Sequence, residues 1–133
     1  MEKKWIYIGI FLNKESRNKL KELANKIVLD NWKLYCHHMT IAFNDGSKEA
    51  NEAYNFYKNF FGAQTYVIAT HIGISNDAIA VKVETDETTL NKIPHITLAT
   101  PIDGKAVNSN YITRWYKLND PINLRGSFSE FKK

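Results

Sequence analysis

His38-Met39-Thr40-Ile41-Ala42 and His95-Ile96-Thr97-Leu98-Ala99 repeat one pattern, His-x-Thr-x-Ala, with large apolar residues in the gaps. Alternation of this kind is the signature of a strand, in which residues i, i+2 and i+4 share a face. His38, Thr40 and Ala42 are therefore expected on one face, as are His95, Thr97 and Ala99. Met39, Ile41, Ile96 and Leu98 then point into a core. A single such segment carries little information, because a strand histidine is usually just packed or solvated. Here two of the chain's four histidines occupy the same pattern, 57 positions apart. Two imidazoles and two hydroxyls converging on one cleft would form a site for a phosphate.

Outward from these segments the chain reads as alternating elements. Ile6, Ile8, Ile10 and Leu12 form the apolar side of a strand over 5–12, with Trp5, Tyr7, Gly9 and Phe11 on the other side. Asn13 is placed to cap a helix through Val28, with Leu20, Leu23, Ala24 and Ile27 as its stripe. The first His-x-Thr strand occupies 35–43. Asp45-Gly46 turns the chain, and Ser47 caps a second helix through Phe61, ended by Gly62. Residues 64–74 and 78–84 form a hairpin around Ser75-Asn76-Asp77. A polar loop over 85–92 leads to the second His-x-Thr strand, 95–100. A loop over 101–110, a short helix or cover over 111–116 and a last strand over 122–131 complete the order. The expected class is α+β with mostly antiparallel sheet.

Size and composition narrow the function classes. At 133 residues the chain reads as one domain, 1–133, with 44% hydrophobic residues to build a core. No apolar run approaches the ~20 residues of a membrane span. The charged start, Met1-Glu2-Lys3-Lys4-Trp5, lacks the pattern of a signal peptide and reads as the lead into a first strand. The single cysteine, Cys36, precludes an internal disulfide and fits a reducing, cytoplasmic compartment. A net charge of +4 favours anionic ligands without the basic stripe of a duplex-DNA binder.

Phosphodiester cleavage needs a base for the attacking hydroxyl or water, an acid for the leaving oxygen, and donors for the phosphoryl oxygens. Histidine serves as either acid or base near neutral pH. His38 and His95 are the expected acid–base pair, with Thr40 and Thr97 as donors to the phosphate. This logic calls for no metal and no other cofactor, and no Cys, His, Asp and Glu set with metal spacing accompanies it. Tyr7 borders the expected cleft, where it could stack on a base or donate to phosphate. Trp115, with Tyr111 and Tyr116, could cover the cleft. Glu130 could read a base edge or position a histidine. Arg125 and Lys82 are further phosphate candidates. His37 should point away from His38, Cys36 reads as a buried filler, and His71 as structural.

Paired His-x-Thr segments half a chain apart resemble the 2H phosphoesterase superfamily. That resemblance implies a two-lobed α+β duplication with mostly antiparallel sheets flanking a central cleft. It implies a metal-independent phosphodiesterase acting on cyclic nucleotides, on RNA 2′,3′-cyclic phosphates or on 2′-5′ linkages, with His38, His95, Thr40 and Thr97 at the centre. Lys33 to Thr40 and the segment Leu124-Arg125-Gly126-Ser127-Phe128 are similar to the small stand-alone branches: tRNA-ligase-type cyclic phosphodiesterases and phage enzymes that degrade cyclic-nucleotide immune signals (anti-CBASS proteins). Compact length and abundant asparagine and lysine favour the phage type, acting in a host cytoplasm. The expected partner is a nucleotide, a cyclic oligonucleotide or an RNA end. The main rival is an RNA- or nucleotide-binding module without turnover.

Overall fold

The computed structural model of the chain describes residues 4–27 and 31–132. Seven strands run in the order β1 (Trp5–Leu12), β2 (Trp32–Leu34), β3 (His38–Phe43), β4 (Gln64–Ile74), β5 (Ile79–Glu84), β6 (His95–Pro101) and β7 (Trp115–Lys132). Two helices, α1 (Lys14–Asn25) and α2 (Lys48–Tyr57), follow β1 and β3. Strand pairing is antiparallel throughout, in the order β2-β6-β3-β1-β7-β4-β5. A further β5–β6 pairing joins the two ends of β6-β3-β1-β7-β4-β5.

This closure overturns the expected architecture. The chain is a closed six-stranded antiparallel β-barrel, mostly β, with 47% of the described residues in strands and 25% in helices, and not a two-lobed α+β duplication. The physical reason is non-local. Nothing in the alternation of residues 79–84 says which strand they pair with, and it is that pairing that turns an open sheet into a barrel.

One face of the sheet carries the core. Ile8, Ile10, Leu12, Met39, Ile41, Val67, Val81, Val83, Ile96, Leu98, Leu124 and Phe128 are buried together with Leu20 and Ala24 of α1 and Tyr57 of α2. Each large aliphatic side chain among them contributes roughly 1.5–3 kcal/mol through burial. Asn13 caps α1 by accepting from the Ser16 amide, and Ser47 caps α2 by accepting from the Ala50 amide. Ser16 Oγ also accepts from the Arg125 amide at 2.8 Å, which fastens α1 to β7. The expected end of the first helix, Val28, lies outside the described residues.

With α1 and α2 packed on the core side, the opposite face is open. It carries Tyr7, Gly9 and Phe11 of β1, paired with or beside His38 and Thr40 of β3. On β5, β4 and β7 it continues through Ala80, Gly73 and Trp115. A small second cluster of Ala78, Ala80, Ile112 and Trp115 packs here.

Several boundaries differ from expectation. The strand expected over 35–43 begins only at His38: Cys36 takes a left-handed φ of 63° and separates the short strand β2 from β3. The last strand begins at Trp115 and not at 122, so the short helix expected over 111–116 is instead a 3₁₀ turn over Ala106–Tyr111. Lys117 pairs with His71 and Ile122 with Ala69. The residues between leave the ladder, and Pro121, with no N–H to give, stands among them.

Gly9 sits where β1 crosses β3. A Cβ there would lie 2.4 Å from the Met39 carbonyl oxygen, a backbone atom that cannot swing aside. Gly9→Ala is expected to lower stability by about 1–3 kcal/mol, read as a lower urea midpoint. An unchanged midpoint would contradict the close approach of the two strands.

Candidate active site

One backbone pair builds the site. Met39 pairs with Ile96, the residue between His and Thr in each segment, and joins β3 to β6. In antiparallel register this sets His38 beside Thr97 and Thr40 beside His95, all four on the open face. The two histidines are then diagonal neighbours, a relation that separates backbones by ~7–8 Å and leaves room between the imidazoles. His38, Thr40, His95 and Thr97 line one open cleft of about 430 Å³ with Tyr35, Phe43, Asn91 and Asn110.

The alanines do not join them. Against β1 the register shifts, so that Gly9 pairs with Thr40 but Ile8 with Ala42. Against β5 it shifts at the matching point, with Ala80 opposite Thr97 but Ile79 opposite Ala99. In both segments the fourth residue, Ile41 or Leu98, is the extra one. A bulge of this kind turns the fifth residue onto the core face. The expectation that Ala42 and Ala99 share the face of the histidines and threonines is thereby corrected.

His95 is buried, and its Nδ1 donates to the Ile93 carbonyl at 2.8 Å. That bond puts the proton on Nδ1 and leaves Nε2 with a lone pair. Burial lowers its pKa, partly offset by the bond to Ile93. His38 is held in an aromatic wall: its ring stacks on Tyr7 at 4.7 Å and on Phe11 at 5.5 Å. Burial, then His37, then His95 push its pKa down to about 3. Both imidazoles are therefore neutral at pH 7 in the free protein.

His37 does not point away from His38. Its ring stacks on His38 with centroids 4.5 Å apart, and the two Nδ1 atoms share a hydrogen bond. Alternation fails here because β3 begins only at His38, just after the left-handed Cys36. Cys36 is buried in the core cluster with Sγ against the Leu98 carbonyl, and burial pushes its thiol up to about 11.

The threonines differ in their surroundings. Thr97 Oγ1 lies 2.8 Å from Ser109 Oγ and donates to the Ala106 carbonyl at 3.3 Å, which ties the 3₁₀ turn to β6 as one wall of the cleft. Among the described residues the Thr40 hydroxyl has no protein partner. The opposite wall is the 85–94 loop, pinned where Thr89 Oγ1 donates to the Thr40 carbonyl and the Leu90 amide to the Ile41 carbonyl.

Tyr7 belongs to the aromatic wall, stacked between His38, Phe11 and Phe131. Trp115 lies in an adjoining second cleft of about 870 Å³ with Lys92, Asn110, Tyr111 and Ile112, and His95 borders both clefts. Its Nε1 is buried without a partner among the described residues, an arrangement that typically costs about 1–3 kcal/mol. Tyr116 pairs with Ile72 and turns to the other face. Glu130 is not at the site. It pairs with Ile8 on the core face, where it accepts from Tyr54 Oη at 2.8 Å and meets Lys132 Nζ at 3.0 Å. Its place near the end of a strand could not tell one face from the other. Arg125 is engaged with Tyr66, donating to Oη at 2.7 Å. Asn91, Asn110 and Ser109 carried no sequence signal, because loops brought to the cleft by folding have no period to read.

Among the described residues no three His, Cys, Asp or Glu side chains group to hold a metal ion, and no helix is long and apolar enough to cross a membrane.

No protein-family model matches the chain, and no curated protein matches it by sequence. Solved structures share its fold. The crystal structure of TT0787 of Thermus thermophilus superposes with a TM-score of 0.58 at 14% identity, covering 97% of this chain and 94% of that one. The crystal structure of a fungal RNA kinase superposes with a TM-score of 0.69 at 16% identity, covering 96% of this chain and 45% of that one. The chain thus spans less than half the length of the RNA kinase, and at these identities the likeness is one of fold.

Proposed function

We propose that the chain is a metal-independent phosphodiesterase of the 2H type, in which His38 and His95 serve as acid and base. The observation that carries this reading is the Met39–Ile96 pair, which brings both His-x-Thr segments to one cleft. A water or ribose hydroxyl attacks phosphorus while one histidine takes its proton. The P–O ester bond opposite breaks, and the other histidine gives its proton to the leaving oxygen. His95, with Nδ1 engaged and Nε2 free, is set to be the base. His38 is then the acid, and a bound phosphate anion supplies the negative charge that raises its pKa from about 3. Thr40 and Thr97 donate to non-bridging oxygens. Tyr7 holds the His38 ring in place.

The substrate is a nucleotide phosphodiester, either a cyclic nucleotide or oligonucleotide signal or an RNA 2′,3′-cyclic phosphate. Likeness of fold to an RNA kinase favours the RNA end. A binding module without turnover would use neither an acid nor a base.

The deciding experiment is turnover with EDTA present, on cyclic oligonucleotides, 2′,3′-cyclic nucleotides, RNA ending in a 2′,3′-cyclic phosphate, and 2′-5′ oligoadenylate. His38→Ala and His95→Ala are each expected to lower kcat by roughly 10²–10⁴-fold. Binding without turnover, unaffected by either substitution, would replace the enzyme with a binding module. The pH dependence has a defined sign. Productive free enzyme carries one proton on the pair, and both pKa values are lowered from 6.5. Hence kcat/KM is expected to fall about tenfold per unit as pH rises from 6.5 to 8, while kcat, which reports the complex, peaks at higher pH. A kcat/KM maximum above pH 7 would contradict the neutral pair. Thr40→Ala is expected to act on kcat, and Thr97→Ala on KM as well, since Thr97 also anchors the 106–111 wall. Equal kinetic effects of the two substitutions would remove that distinction.

A further inference from the structure

Beyond His95 the open face carries a row that the acid–base pair does not use. His95 pairs with Lys82 of β5, Lys82 with His71 of β4, and His71 with Lys117 of β7. Residues directly opposite in antiparallel strands share a face, so these four side chains form a line across four strands. Three inter-strand steps of roughly 4.8 Å carry it roughly 14 Å from His95. Exposure rises along it, from buried His95 through half-buried Lys82 and His71 to exposed Lys117.

Two lysines flanking an imidazole, with no opposite charge facing them, do little for the sheet. Among the described residues the ion pairs are Lys48–Glu52 and Lys132–Glu130, both elsewhere. Glu84 follows Lys82 on the same face, opposite Ile68, and forms no ion pair with it. Beside the row lies the second cleft, where Trp115, two residues before Lys117, and the exposed Tyr111 offer aromatic surface, and Lys92 adds a further cation. The Trp115 Nε1 has no protein partner among the described residues. Cations that track a backbone, interleaved with aromatic rings for stacking, are what a single-stranded nucleic acid needs.

We infer that Lys82, His71 and Lys117 form a phosphate track for single-stranded RNA that leads away from His95, with bases laid towards Trp115 and Tyr111. The inference rests on the phosphodiesterase reading for which phosphate is cut, and on the row itself for what is bound.

The test is fluorescence anisotropy of a labelled single-stranded RNA dodecamer across a salt series, in the His38→Ala/His95→Ala background so that the strand is not consumed. Adding Lys82→Gln and Lys117→Gln is expected to weaken binding and to flatten the slope of log affinity against log salt by about 1.4, two contacts at about 0.7 each. Lys48→Gln/Lys58→Gln, which removes the same charge from the α2 region, should leave the slope unchanged. Affinity for a 2′,3′-cyclic mononucleotide should be unchanged in both. An unchanged slope in the Lys82/Lys117 variant, or equal flattening in both variants, would overturn the track. Should Lys82→Gln fail to fold, exposed Lys117→Gln alone must flatten the slope by about 0.7. Mononucleotide turnover with an unchanged slope would leave the enzyme standing without the track. Binding along the track with no turnover of any substrate would leave the track without the enzyme.

Discussion

The site depends on the register between β3 and β6. Met39, Ile41, Ile96 and Leu98 are all essentially removed from solvent on the core face. A slip of one residue in either strand would expose two of these side chains and drive a histidine and a threonine into the core. Burial of four large apolar groups, at roughly 1.5–3 kcal/mol each, therefore selects the single alignment in which both imidazoles meet. The meeting of the four cleft side chains is a by-product of core packing on the reverse side of the same two strands. Gly9 enforces the same alignment from β1, since it permits contact with the Met39 carbonyl that any side chain would prevent.

Around that alignment the protein arranges an environment with few charges and much aromatic surface. His38 lies against Tyr7, Phe11 and His37, and Phe43 and Phe131 extend the wall beyond Tyr7. Such surroundings withhold water, disfavour the imidazolium and make an arriving anion the strongest charge in the cleft. On the His95 side the character changes to lysines and an indole. The two histidines thus stand at a boundary between an apolar and a cationic half of one face.

Local periodicity made much of this readable. The strands expected over 5–12 and 64–74 match β1 and β4 in their bounds, although a register shift after Trp5 turns that indole onto the core and leaves Ile6 exposed. The caps at Asn13 and Ser47 mark where both helices begin. What periodicity could not carry was the set of places where the backbone leaves its period. The bulges at Ile41 and Leu98 moved Ala42 and Ala99 across the sheet, and the left-handed Cys36 turned His37 towards His38. Long-range pairing was equally silent. Barrel closure through β5 and β6, the position of Glu130 beside Tyr54, and the line from Lys117 to His95 all arise from residues far apart in the chain.

Cys36 has a consequence of another kind. It is the chain's sole thiol, without solvent exposure, its pKa held at about 11, at the backbone kink between β2 and the first histidine segment. A thiolate is the species that reacts, so in the native barrel this sulfur is chemically silent. It becomes reactive only when the strands around His38 part. The molecule therefore carries an intrinsic clock: the rate at which a small alkylating reagent labels Cys36 counts the openings of the very segment that holds the first histidine, and ligand occupancy of the cleft slows that clock in proportion to how firmly it holds the strands together.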